Sequence, residues 1–73
     1  MARAAVIGQA LRIGGFALAG ALLCPAEDED EVHAAWESLP PDIAVVVLTD
    51  SAAGWLAGEL AQRRDVLPVV MPG

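Results

Sequence analysis

Four short apolar runs recur along the chain and predict four β-strands. They occupy residues 4–7, 21–24, 43–48 and 66–71, and each is followed by a glycine, a proline or a polar turn. The third run, IAVVVL, is apolar at every position and rich in β-branched residues, which favours a strand over a piece of buried helix. A strand without polar alternation has both faces covered, as is typical of a parallel sheet between layers of helices.

The segments between these runs have helical periodicity, which is clearest in residues 27–39. Acidic residues fill positions 27–31, where negative charge is stabilised by the positive end of a helix dipole. Pro40 and Pro41 end the helix. One apolar face, with spacing i, i+3, i+4 and i+7, is formed by Val32, Ala35, Trp36 and Leu39. This segment therefore predicts the second of three helices.

Two weaker helices are predicted on either side of this one. The first follows a loop that begins at Gly8, and Gly20 is its expected stop. The apolar face of the first helix consists of Ile13, Phe16 and Ala17. The third helix starts at one of three good N-cap residues at 49–51 and ends near residues 63–64. The apolar stripe of the third helix consists of Ala52, Leu56 and Leu60. Trp36 and Trp55 are both expected in the core.

Strands that alternate with helices predict an α/β fold with a doubly wound parallel sheet. We expect a small, flavodoxin-like (receiver-like) domain over residues 1–73, with four strands in the order 2-1-3-4 and three helices. Because the crossovers are right-handed, the first helix lies on one face and the other two lie on the opposite face. One face, or the edge at strand 4, is then incompletely covered, and such apolar surface usually marks an interaction site.

Composition narrows the class of protein. The 73 residues are 56% hydrophobic with a net charge of −6, which excludes intrinsic disorder. The chain has no lysine, so binding to a phosphate backbone is disfavoured. The single cysteine, Cys24, excludes an intramolecular disulfide and is expected to be a small apolar core residue. The longest uncharged run, residues 13–26, is shorter than the roughly 20 residues of a membrane span. We expect a soluble, cytoplasmic protein.

Few of the side chains that could bind a ligand or take part in catalysis are expected to lie close together. Asp50 follows the third strand, where a response-regulator receiver places its phosphoacceptor, but the loop after the first strand has no acidic residues to hold Mg²⁺. Capping of the third helix is the simpler role for residues 49–51. Gly8 is not followed by the spacing of a dinucleotide-binding loop. The acidic run beside His33 indicates a solvated helix start or a contact with a basic partner, because consecutive helical residues point to different sides.

These residues therefore predict no catalytic, cofactor-binding or metal-binding site. A single histidine does not assemble a Ser-His-Asp or Cys-His set. We expect a chain that is not an enzyme by itself and that acts by binding. A degenerate receiver-like module that regulates through self-association is one interpretation, and a homodimer of the isolated chain is left open by the sequence.

Several segments resemble a known family, the F subunit of the V-type and archaeal-type rotary ATPases. The strand AVIG at residues 5–8 and the segment GFALAG at residues 15–20 are similar to the start of that protein. The strand VVVLT at residues 45–49, followed by an alanine-rich helix, and PVVMP at residues 68–72 are similar to its third and last strands. The likeness extends over nearly the whole chain.

The resemblance implies a non-catalytic component of the central rotor stalk, bound to the coiled-coil D subunit and indirectly to the catalytic head. Such a component couples ATP hydrolysis or synthesis to proton or sodium transport in a peripheral membrane complex. Two features depart from the family pattern: Gln9 begins a loop that is usually acidic, and a C-terminal helix is expected to be absent after Gly73. We expect the partner interface to include Arg12, Gly15, Phe16 and Ala19.

Overall fold

Four parallel strands form one sheet in the computed structural model, which describes residues 3–15, 20–63 and 65–71. The strands are β1 (Arg3–Gly8), β2 (Leu22–Pro25), β3 (Ile43–Leu48) and β4 (Leu67–Val70). Their order is β2-β1-β3-β4, and every neighbouring pair is parallel. The predicted order 2-1-3-4 and the flavodoxin-like, doubly wound α/β fold are thereby confirmed.

Within the described residues, four short α-helices connect the strands: α1 (Ala10–Ile13), α2 (Glu29–Glu37), α3 (Asp50–Trp55) and α4 (Ala57–Gln62). The third predicted helix is divided into α3 and α4 at Leu56, whose φ of −100° and ψ of 9° lie outside the helical range. Leu56 is completely buried, and glycines at 54 and 58 lower the helix propensity on both sides of it. In the part of the chain that the structure describes, no helix is long and apolar enough to cross a membrane.

The main core lies between the sheet and the layer of α2 and α3. Ala5 and Ile7 of β1 and Val46 and Leu48 of β3 are fully buried on this face, because alternate residues of a strand point to the same side. The helices contribute the buried residues Val32, Trp36, Ala52 and Leu56. The apolar face predicted for the second helix is thus confirmed. Trp36 is 6% exposed, whereas Trp55 is 37% exposed, so the prediction that Trp55 is a core residue was wrong.

The opposite face of the sheet is covered less completely. Val6 of β1 and Ile13 of α1 are buried there, and α1 packs on β1 and β2. Leu67 and Val69 of the edge strand β4, however, are 62% and 43% exposed. The expected apolar exposure at strand 4 is therefore present.

Pro68 lies in the middle of this edge strand. The amide of Met71 donates to the carbonyl of Leu48 at 2.8 Å, and backbone groups alternate in direction along a strand. The backbone nitrogen of Pro68 therefore faces the open edge, where a missing N–H breaks no bond within the sheet. A proline in this position makes the edge a poor template for a further strand.

Candidate functional site

The carboxyl ends of β1 and β3 meet at the point where ligands bind in many sheets of this topology. Thr49, which directly follows β3, is 3% exposed, and its Oγ1 accepts a hydrogen bond from the amide of Ala52 at 3.3 Å. Asp50 is exposed, and its Oδ1 accepts from the amide of Ser51 at 2.9 Å. Thr49 is thus the N-cap of α3, which confirms the capping role predicted for residues 49–51.

Gly8, at the end of β1, lies directly against Thr49. A Cβ atom on Gly8 would overlap Cγ2 of Thr49 and would lie 3.0 Å from its Oγ1. The Thr49 side chain therefore fills the space beside Gly8 at this end of the sheet. The small residue at position 8 serves the packing of the sheet end on the start of α3.

Glu27 makes a polar contact at this end of the sheet that the sequence analysis did not predict. Its Oε2 accepts a hydrogen bond from the amide of Ala10 at 2.9 Å, at the start of α1, where the side chain of Gln9 makes no capping bond. Parallel pairing of β1 with β2 brings the two segments together, since Gly8 is opposite Pro25. The contact depends on the register of the two strands, which the sequence pattern does not specify.

The rest of the acidic run organises the start of α2. Oδ1 of Asp28 accepts from the amide of Glu31 at 2.9 Å, and Oε1 of Glu31 accepts from the amide of Glu27 at 2.7 Å. The two carboxylates together satisfy main-chain donors that the helix itself cannot use. The predicted helix start is confirmed, and within the described ranges no group of three or more His, Cys, Asp or Glu residues is arranged to hold a metal ion.

His33 lies on α2 between two carboxylates. Its Nδ1 is 3.3 Å from Oε1 of Glu59 on α4, and its Nε2 is 3.7 Å from Oε2 of Glu29, one turn earlier on α2. A second contact joins the same helices, because the guanidinium of Arg63 lies over the ring of Trp36, 5.4 Å from its centroid. These contacts join α4, and the residue that follows it, to α2.

An open depression of about 340 Å³ lies between β2 and α2. Its lining residues are Cys24, Pro25, Glu31, Ala34, Ala35 and Ser38. The hydroxyl of Ser38 donates to the carbonyl of Ala34 at 2.8 Å. Burial raises the pKa of the Cys24 thiol, which is the opposite of what activates a cysteine nucleophile. Cys24 is half-buried beside the core, close to its predicted role as a small apolar residue.

Two of the four predicted interface residues lie in the described part of the chain. Arg12 ends the first turn of α1 and Gly15 follows it, and both are exposed. Phe16 and Ala19 lie outside the described residues. Leu11, beside Arg12, is a fully exposed apolar residue that the sequence analysis did not select, because its position fits no predicted face.

Comparison with known proteins agrees with this architecture. Among curated proteins, none matches the chain significantly. A family model described as "ATP synthase (F/14-kDa) subunit" matches residues 4–72, which is nearly all of the chain. The match confirms the resemblance that the motifs indicated, and the chain belongs to this family, the F subunit of V/A-type ATPases, whose members are non-catalytic components of the ATPase complex.

Proposed function

We propose that the chain is a central rotor-stalk component that couples ATP hydrolysis or synthesis to proton or sodium transport. The single observation that carries this proposal is the family match over residues 4–72. The chain takes part in rotation by binding the coiled-coil D subunit of the stalk, and through it acts on the catalytic head. It lies on the cytoplasmic side, as a peripheral part of the membrane complex.

The contact surface proposed for the coiled-coil partner is α1 with the segment that follows it. Its residues are Arg12, Gly15, Phe16 and Ala19. A fully exposed leucine at position 11 supports this location, since burying such a side chain against a partner contributes about 1.5–3 kcal/mol. An exposed arginine at the rim of an apolar contact is a frequent feature of interfaces between proteins.

Gly15 provides the second supporting observation. A Cβ atom built on this residue meets no other atom within 4 Å. Packing inside the described parts of the chain therefore does not require glycine here. A glycine on an open surface leaves room for the close approach of a partner helix, which a larger residue would prevent.

Binding of the purified chain to the coiled-coil partner, measured by calorimetry, tests this surface. Gly15→Leu is expected to weaken binding at least tenfold while the thermal unfolding midpoint is unchanged. Gly58→Leu is the matched control, because Gly58 is also open to solvent but lies on α4, on the other side of the sheet. Equal affinities for the two variants would place the interface elsewhere.

Phe16→Asp is the second variant, and it should abolish binding while unfolding remains cooperative. Circular dichroism of the same sample separates this result from loss of the fold, which burying a charge in the core would cause. If the unaltered chain stays monomeric when the coiled-coil partner is supplied, the rotor-stalk role is wrong.

A further inference from the structure

The two nitrogen atoms of His33 each face a carboxylate. Nδ1 lies 3.3 Å from Glu59 on α4, and Nε2 lies 3.7 Å from Glu29 on α2. Both are ion-pair distances, and the 3.7 Å contact with Glu29 is too long for a hydrogen bond. A neutral imidazole presents no net charge to either carboxylate. An imidazolium carries a positive charge that attracts both carboxylates.

The helix α4, which carries Glu59, is held only weakly by packing against the core. α4 contains no buried residue, and Leu60 is only partly buried at the margin of the core. The turn at Leu56 separates α4 from α3, so the two are not one continuous helix. The contacts of His33 with Glu59 and of Trp36 with Arg63, which directly follows α4, join this segment to α2.

The other charged groups near His33 and Glu59 lie on α2, on or just after α4, and on α3. On α2, Glu29 faces the ring, and Glu37 lies one turn beyond it with no ion pair to His33 described. On α4 the neighbouring charges are Glu59 and, at the end of the helix, Arg63, which pairs with Asp65. The helix α3, which also packs on α2, carries one acidic residue, Asp50, at its start.

We propose that His33 is a proton-dependent clasp between α2 and α4. When the ring is protonated, it joins Glu59 to Glu29 and holds α4 against α2. When the ring is neutral, the two carboxylates repel each other across it, and α4 opens more often. Histidine is the side chain whose charge ordinarily changes between about pH 5 and pH 8, whereas carboxylates in general stay ionised there.

Hydrogen exchange of the α4 amides, measured by NMR, tests this proposal. After correction for intrinsic exchange, we expect the hydrogen-bonded amides of residues 60–63 to open about two- to fivefold more often at about pH 8 than at about pH 5.5, the effect of one partly exposed ion pair. The change should follow the ring-proton resonance of His33, which is the single histidine of the chain. Amides of β3 serve as the reference for global unfolding.

Two variants separate the clasp from a general effect of pH. Glu59→Gln should remove the pH dependence of α4 exchange, and Glu37→Gln, the matched control on α2, should keep it. Equal opening of α4 at both pH values in the unaltered chain would overturn the proposal. A pH dependence that survives Glu59→Gln, or that Glu37→Gln also removes, would overturn it as well.

Discussion

Gly8 and Thr49 fit together at the end of the sheet so closely that the side chain of Thr49 occupies the space a Cβ on Gly8 would need. Thr49 cannot move aside at low cost, because its hydroxyl accepts the capping hydrogen bond from Ala52 and the residue is buried. The contact joins the end of β1 to the start of α3. It explains why residue 8 has no side chain although it does not belong to a glycine-rich ligand-binding loop.

Gly8→Ala is therefore expected to lower the free energy of unfolding by about 1–3 kcal/mol, the usual cost of overpacking. Thr49→Ser in the same chain removes the clashing Cγ2 atom and keeps the capping oxygen, so the double variant should regain much of the lost stability. Urea unfolding of both single variants and the double variant measures the coupling. Additive effects of the two substitutions would contradict the contact.

The strands could be predicted from the sequence because their signal is local. β3 begins and ends where its apolar, β-branched run does, and the chirality of crossovers then leaves few possible strand orders. The predicted stripe of Ala52, Leu56 and Leu60 was also informative, since the first two are buried and the third is partly buried. The apolar run of a strand and the apolar stripe of a helix are both formed by residues that are near one another along the chain.

Features that depend on contacts distant in sequence could not be predicted. The bond from Ala10 to Glu27 exists because β1 and β2 pair in one particular register. The turn at Leu56 leaves the apolar stripe unchanged, so periodicity alone predicts one continuous helix. Trp55 lies beside the buried stripe and is 37% exposed, a position that its residue type does not reveal.

The N-cap of α2 provides a second test, with a control only two residues away. Asp28 accepts the hydrogen bond from Glu31, whereas Asp30 lies inside the first turn. Asp28→Ala should cost about 1 kcal/mol, the usual effect of losing a cap, and lower the melting temperature by about 4–8 °C. Asp30→Ala, which loses only the interaction with the helix dipole, should cost less. Equal losses, measured by differential scanning calorimetry, would contradict the capping role.

Because Arg3 and Asp42 form an ion pair, we expect the free energy of unfolding to depend on pH in the acid range. Two hydrogen bonds, of 2.7 and 3.1 Å, join the guanidinium to the carboxylate, and they hold the pKa of Asp42 below its usual range. A carboxyl whose pKa is lower in the folded state stabilises the fold above its unfolded pKa of about 4. That contribution is lost as the pH falls through the lower, folded value.

Asp42→Asn should therefore have a lower urea midpoint than the unaltered chain at about pH 7, and the difference should vanish at about pH 2. Added salt should reduce the difference at neutral pH, because both side chains are about half exposed. Glu37→Gln, which removes one exposed acidic charge for which no ion pair is described, is the control for net charge. A difference that is constant across this pH range would show that the ion pair does not contribute.

Cys24 provides the last test, because burial raises the pKa of its thiol. The thiolate is the reactive form, so iodoacetamide at about pH 8 should modify the folded chain at least several-fold more slowly than the chain in urea. Cys24 is the single cysteine, and the mass of the intact protein therefore reports this reaction alone.

A thiol whose pKa is higher in the folded state stabilises the fold below its unfolded pKa, and that contribution is lost as the pH rises through the folded value. The stability of the unaltered chain should thus decline above about pH 8.5 more steeply than that of Cys24→Ala. Parallel curves for the two proteins, or equal rates of modification in the folded and unfolded chain, would show that the fold does not shield the thiol.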